Sequence, residues 1–136
     1  MNDEDFIAQF EQGTLEPFHH ADHVHMAFAY LERYPVLEAM DRFCCALKRF
    51  AAARGKPQLY HETITWTYML LVRERMARAG KRQSWPEFSE KNDDLLHWKD
   101  NILHRYYRDE TLASNLARAV FVFPDAALPD AVQTTH

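Results

Sequence analysis

Thr63-Ile64-Thr65-Trp66-Thr67-Tyr68-Met69-Leu70-Leu71-Val72 is a run of ten residues without a charge, and the fold class turns on how it is read. Thr, Ile, Trp and Tyr favour sheets, so a buried strand is one reading. Against it, Arg73 to Ala79 continue in helix formers, and no segment elsewhere offers a partner strand. On a helix, His61, Ile64, Thr65, Tyr68, Met69, Val72 and Met76 share one face. The spacing therefore predicts a helix over about 60–79, closed by Gly80. A helix apolar on most sides has to be covered on most sides. It is placed at the centre of an all-α, single-domain bundle of about five helices.

The flanking segments supply the cover. Upstream, Val36, Met40, Phe43, Cys44, Leu47, Phe50 and Ala51 form an inward face between Pro35 and Gly55, with Glu38, Asp41, Arg42, Lys48 and Arg49 outside it. Before that, Ala27, Tyr30, Leu31 and Tyr34 mark a helix from about His20 to Tyr34. Phe6, Ile7 and Phe10 mark a short N-terminal helix or arm over 1–13, capped by Gly13. Downstream, Ser84-Trp85-Pro86-Glu87 has the form of a capping box. The stripe Phe88, Leu95, Leu96, Ile102, Leu103 and Tyr106 then predicts one helix over about 84–108, with a break conceivable near Asp100-Asn101. A last helix over 110–120 directs Leu112, Leu116 and Val120 inward. Residues 121–136 read as an extended tail laid over the bundle and frayed at its end.

Composition excludes several classes. The chain of 136 residues is 47% hydrophobic and 26% charged, with three glycines and six prolines, which is the profile of one ordinary globular domain. A formal net charge of −4 leaves no whole-molecule field to attract nucleic acid or an anionic membrane; the basic run Arg73 to Arg82 suits a helix C-terminus instead. Cys44 and Cys45 are adjacent within a helical pattern, so reduced thiols are expected, with Cys44 a core residue. Met-Asn-Asp-Glu-Asp opens the chain with no apolar run behind it, and no long uncharged apolar span follows. The expectation is a cytoplasmic protein without nucleic-acid or membrane partners, with a homodimer open to it through the 84–108 surface.

The chemistry concentrates at Phe18-His19-His20-Ala21-Asp22-His23-Val24-His25, which holds four of the eight histidines. At about 100° per residue, His20 and His23 lie on the inward stripe, His19 at its edge and His25 opposite. Joined by His61, His20 and His23 have the donor types of a catalytic zinc or non-haem iron site, with Glu16, Asp22 and Glu62 as candidates for a fourth ligand. Two other readings stand beside it: a metal-free acid/base site, and histidines that only cap and pack. His61, or a metal-bound water, is the candidate base, with Thr65 and Thr63 either orienting a ligand or bonding back to their own helix. Arg118 either clamps a carboxylate or phosphate or ties down the tail through Asp125. Trp66 and Trp98 are candidates for lining a pocket. His97 and His104 fall opposite their stripe and read as surface residues. A Gly-rich phosphate loop, a Gly-x-Ser-x-Gly elbow and a Cys-x-x-Cys pair are all absent, which argues against nucleotide-dependent and serine-nucleophile chemistry.

Phe18-x-His20-x-x-His23, Tyr60-His61-Glu62-Thr63-Ile64-Thr65, and Ser114-x-x-Ala117-Arg118 followed by Phe123-Pro124-Asp125 together resemble the motif set of a family of small, uncharacterised, all-helical bacterial proteins. The likeness runs from about residue 15 to 129. It implies that His20, His23, His61, Thr65 and Arg118 belong to one site, and it carries no assigned activity. The expectation is a small cytoplasmic protein whose histidine site binds a divalent metal and acts on a small molecule; the alternative is a non-catalytic ligand-binding or protein-interaction domain.

Overall fold

In the computed structural model the described residues are 2–15 and 18–126. They form seven α-helices and no strand: α1 (Asp3–Gln12), α2 (His20–Arg33), α3 (Val36–Ala53), α4 (Glu62–Arg78), α5 (Trp85–Lys91), α6 (Asp109–Leu112) and α7 (Asn115–Ala119). The uncharged run is thus helical, as its continuation into Arg73–Ala79 implies.

Local chemistry sets the first four boundaries. The Asn2 side chain accepts the Asp5 N–H at 2.9 Å, acids fill the first turn of α1, and Gly13 closes the helix in the left-handed region at φ 75°. The His19 N–H donates to the Asp22 carboxylate at 2.9 Å, which fixes the start of α2 at His20. After α3, Gly55 at φ 72° and a 3₁₀ turn over Pro57–Leu59 reverse the chain. His61 then caps α4, its Nδ1 accepting the Ile64 N–H at 3.1 Å.

α2 packs against α3 and α4, α1 against α2 and α3, and α7 against α4. Phe10 is wholly buried among the rings of Phe18, Tyr30, Phe43 and Phe50. α4 buries Thr63, Thr65, Thr67, Tyr68, Met69, Leu71 and Val72, while Leu70 and Arg73 stay exposed.

The C-terminal third departs from the expected two helices, and the helix count rises accordingly. The segment predicted as one helix over 84–108 ends at Lys91, because the Asn92 side chain donates to the Phe88 carbonyl at 2.9 Å and its backbone leaves the helical region. Asp100 takes φ 53°, and Asn101 restarts a 3₁₀ turn over Ile102–Arg105 by accepting the Leu103 N–H. The helix predicted over 110–120 is likewise two. Ser114 accepts the Ala117 N–H at 3.1 Å and resets the rotation, so Ala117 is buried while Leu116 and Val120 are exposed. Replacing that cap, S114A, is expected to cost about 1 kcal/mol, read as a lower melting temperature with faster amide exchange confined to 115–119.

His25 is a further correction. Rather than facing water, its ring is stacked on Trp85 at 4.4 Å, lies 4.5 Å from Phe6, and its Nε2 is 3.1 Å from Asp3 Oδ1. The face that α2 alone would leave to solvent is covered by α1 and α5.

Residues 121–126 lie along the bundle. Thr63 Oγ1 donates to the Val120 carbonyl at 2.9 Å and accepts the Val122 N–H at 3.1 Å, Tyr107 donates to the Val122 carbonyl at 2.6 Å, and the Asp125 and Ala126 N–H groups reach the Tyr106 carbonyl. The frayed end expected after them lies outside the described residues. No helix among the described residues is long and apolar enough to cross a membrane.

Candidate functional site

A cavity of about 890 Å³ opens between α2, α3 and α4, and His20, His23, His61, Thr65 and Arg118 all line it. The five residues singled out from the sequence therefore share one concavity. Its walls are mainly apolar, with Phe43, Leu47, Phe50, Ile64 and Met69 prominent. This is the size and character of a small-molecule site.

The histidines are not equivalent. His61 is buried, and both of its ring nitrogens are used: Nδ1 accepts the Ile64 N–H, and Nε2 donates to the Leu112 carbonyl at 2.7 Å. That pairing assigns the neutral Nε2–H tautomer. Burial holds its pKa below the usual histidine value. In this arrangement His61 has no lone pair left for a metal or for an incoming proton. His20, the first residue of α2, donates from Nε2 to the Leu95 carbonyl at 3.0 Å and sets its ring 4.8 Å from Tyr68 and 5.1 Å from Trp98. Burial lowers its pKa too.

His23 differs from both. Its ring lies 4.2 Å from Phe18, and neither ring nitrogen has a hydrogen-bond partner among the described residues. Burial, reinforced by the neighbouring His20, lowers its pKa to about 4. At neutral pH it is an uncharged imidazole with one donor and one acceptor to offer. Tyr68 lines the same cavity and is buried, and its hydroxyl is the one buried side-chain polar atom without a partner among the described residues. Burial raises the Tyr68 pKa, so the phenol keeps its proton and remains a donor.

The remaining candidates divide. Thr65 bonds back to the His61 carbonyl at 2.7 Å, and Thr67 does the same to Thr63; Thr63 itself holds the C-terminal segment. Neither Thr63 nor Thr65 thus has its hydroxyl proton free for a ligand. Arg118 is exposed at the cavity and donates to the Gln58 carbonyl at 3.0 Å. It does not pair with Asp125, as the tail-tying alternative required. The Asp125 carboxylate instead accepts the Arg108 N–H and the Thr111 hydroxyl, which holds its pKa below the ordinary carboxylate range.

Among the described residues, no group of three or more His, Cys, Asp and Glu side chains is arranged to hold a metal ion. Of the candidate fourth ligands, Asp22 is engaged by the His19 N–H, Glu62 accepts the Tyr60 hydroxyl, and Glu16 lies outside the described residues. Cys44 is buried, and burial pushes its thiol pKa up, as suits a packing role. Tyr68 was missing from the sequence-derived set, although its signal was present: it stands two helical turns after His61 on the same stripe. Arg54 and Lys56, from the turn after α3, also line the cavity, and nothing local in the sequence points to them. No family model, curated protein or solved structure matches this chain, and the site is read from its own geometry.

Proposed function

We propose that this protein binds a small organic molecule in the cavity between α2, α3 and α4, with His23 and Tyr68 meeting its polar group. The observation that carries this reading is the Tyr68 hydroxyl, buried without a partner among the described residues in a cavity that the His23 imidazole, equally unpartnered among them, also lines. A buried hydroxyl left unsatisfied costs about 1–3 kcal/mol, a cost that a ligand oxygen would remove. A phenol donor and a neutral imidazole lining one cavity suit a carbonyl or hydroxyl oxygen. With its pKa near 4, His23 is a weak base at neutral pH and orients rather than deprotonates. His61 and Thr65 act as positioning residues that lock the first turn of α4. In this reading the chain is one cytoplasmic domain of five principal helices with α4 at its centre.

A second reading retains a divalent metal, zinc or iron, and chemistry on the bound molecule. It is favoured by the ring nitrogens of His23 and the Nδ1 of His20, which no described residue engages, with the small molecule supplying the further donors. Here His61 stays a capping residue.

The test uses the neutral naphthyl ketone dye prodan with untagged protein, followed by a zinc titration. Saturable one-to-one prodan binding, weakened about tenfold by Y68F and by H23L, is expected from the loss of one buried hydrogen bond. Absence of saturable binding would overturn the reading. Stoichiometric zinc binding that H23L abolishes would replace it with the second.

A further inference from the structure

We infer that the natural ligand is a carboxylate with an apolar body and a second oxygen about 10 Å from the acid group, the acid lying against Arg118 and Lys56; this rests on the cavity being a small-molecule site.

The charge distribution carries the inference. The chain as a whole is acidic, with 20 Asp and Glu against 16 Lys and Arg. Yet Lys56 and Arg118 line the cavity, and the described residues lining it include not one Asp or Glu. Lys56 and Arg118 have no carboxylate partner among the described residues, and both are exposed at the opening. Among the described residues the Arg118 guanidinium is steadied by one bond, to the Gln58 carbonyl, and none of them takes its other N–H groups, which can form a fork for a planar carboxylate. In an acidic protein, cations gathered at the mouth of an apolar cavity favour an anion there and repel a cation.

The spacing follows from α4. Arg118 sits at the His61 end, bonded to the residue three before it, and its charge is felt by His61. Tyr68 lies seven residues further along the same helix, about 10 Å at 1.5 Å per residue. Ile64 lines the cavity between the two ends, and Met69 lies just beyond Tyr68. A chain or aryl-alkyl body spanning that distance meets a cation at one end and a hydroxyl with an imidazole at the other. No bond is made or broken in this recognition.

Calorimetric titration of the full chain with ω-hydroxydecanoate, decanoate and decanediol separates the two ends. The hydroxy acid is expected to bind tightest. R118Q should weaken both acids by about tenfold, from loss of a charge-assisted bond, while changing the diol by less than about twofold. K56Q removes a side chain with no polar contact among the described residues, so it reports the same acid-selective loss should R118Q disturb the turn at Gln58. Y68F should weaken the hydroxy acid and the diol and spare decanoate. Equal affinity for acid and diol, with neither R118Q nor K56Q selective for the acids, would overturn the inference and leave the cavity reading standing. Failure of all three probes to bind would overturn both.

Discussion

Acidification from pH 7 to about 4.5 is expected to remove about 2 kcal/mol of stability through His23. Its pKa is about 4 in the folded protein against 6.5 in the unfolded chain, so between those values the unfolded chain takes up a proton that the folded one refuses. The sign follows directly: the contribution is fully present above pH 6.5 and is lost as the pH falls through the window towards 4. His20, His25 and His61 act in the same direction, because burial lowers each of them. Protonating His61 would also displace the Ile64 N–H from Nδ1 and uncap α4. Urea unfolding at a series of pH values measures the effect. In H23L the fall across this window should be smaller by roughly the amount assigned to His23. An unchanged slope in H23L would show that this ring is not shielded as its surroundings imply.

Thr63→Val is expected to cost about 3 kcal/mol although it barely alters volume. The Thr63 hydroxyl is wholly buried, donates to the Val120 carbonyl and accepts the Val122 N–H, so its loss strands two backbone groups at once. Thr67 and Tyr107 would keep their own bonds to the Thr63 and Val122 carbonyls, which makes the damage selective. Amide exchange should speed up most over 120–126, with a smaller change in α1. Thr63→Ser, which keeps the hydroxyl, should recover most of the loss. A cost in T63V below about 0.5 kcal/mol would mean that water replaces the hydroxyl and that the segment is not held from α4.

Much of the helical framework was legible in the chain, because its signals are local. The caps at Gly13 and Ser84 and the stop at Pro35 act within one turn, and the apolar faces of α1 and α3 repeat at the helical period. The reading failed where short side chains compete for the backbone. Asn92, Asn101 and Ser114 each end or restart a helix with a side-chain hydrogen bond, and an apolar stripe drawn through them runs on regardless. Leu116 and Val120 were placed inward for that reason and are exposed.

Residue type and helical spacing by themselves put His20 and His23 on one stripe of their helix and His61 on the inward face of its own, since a rotation of about 100° per residue needs no partner to define it. Packing brought the two faces to one cavity. What each imidazole can do there was decided by the tertiary structure. His61 gives Nε2 to a carbonyl 51 residues further on, and His20 gives its own to one 75 residues away, whereas nothing among the described residues reaches His23. A ring nitrogen is a ligand, a base or a strut according to the atom opposite it, and that atom comes from a distant part of the chain brought close by packing.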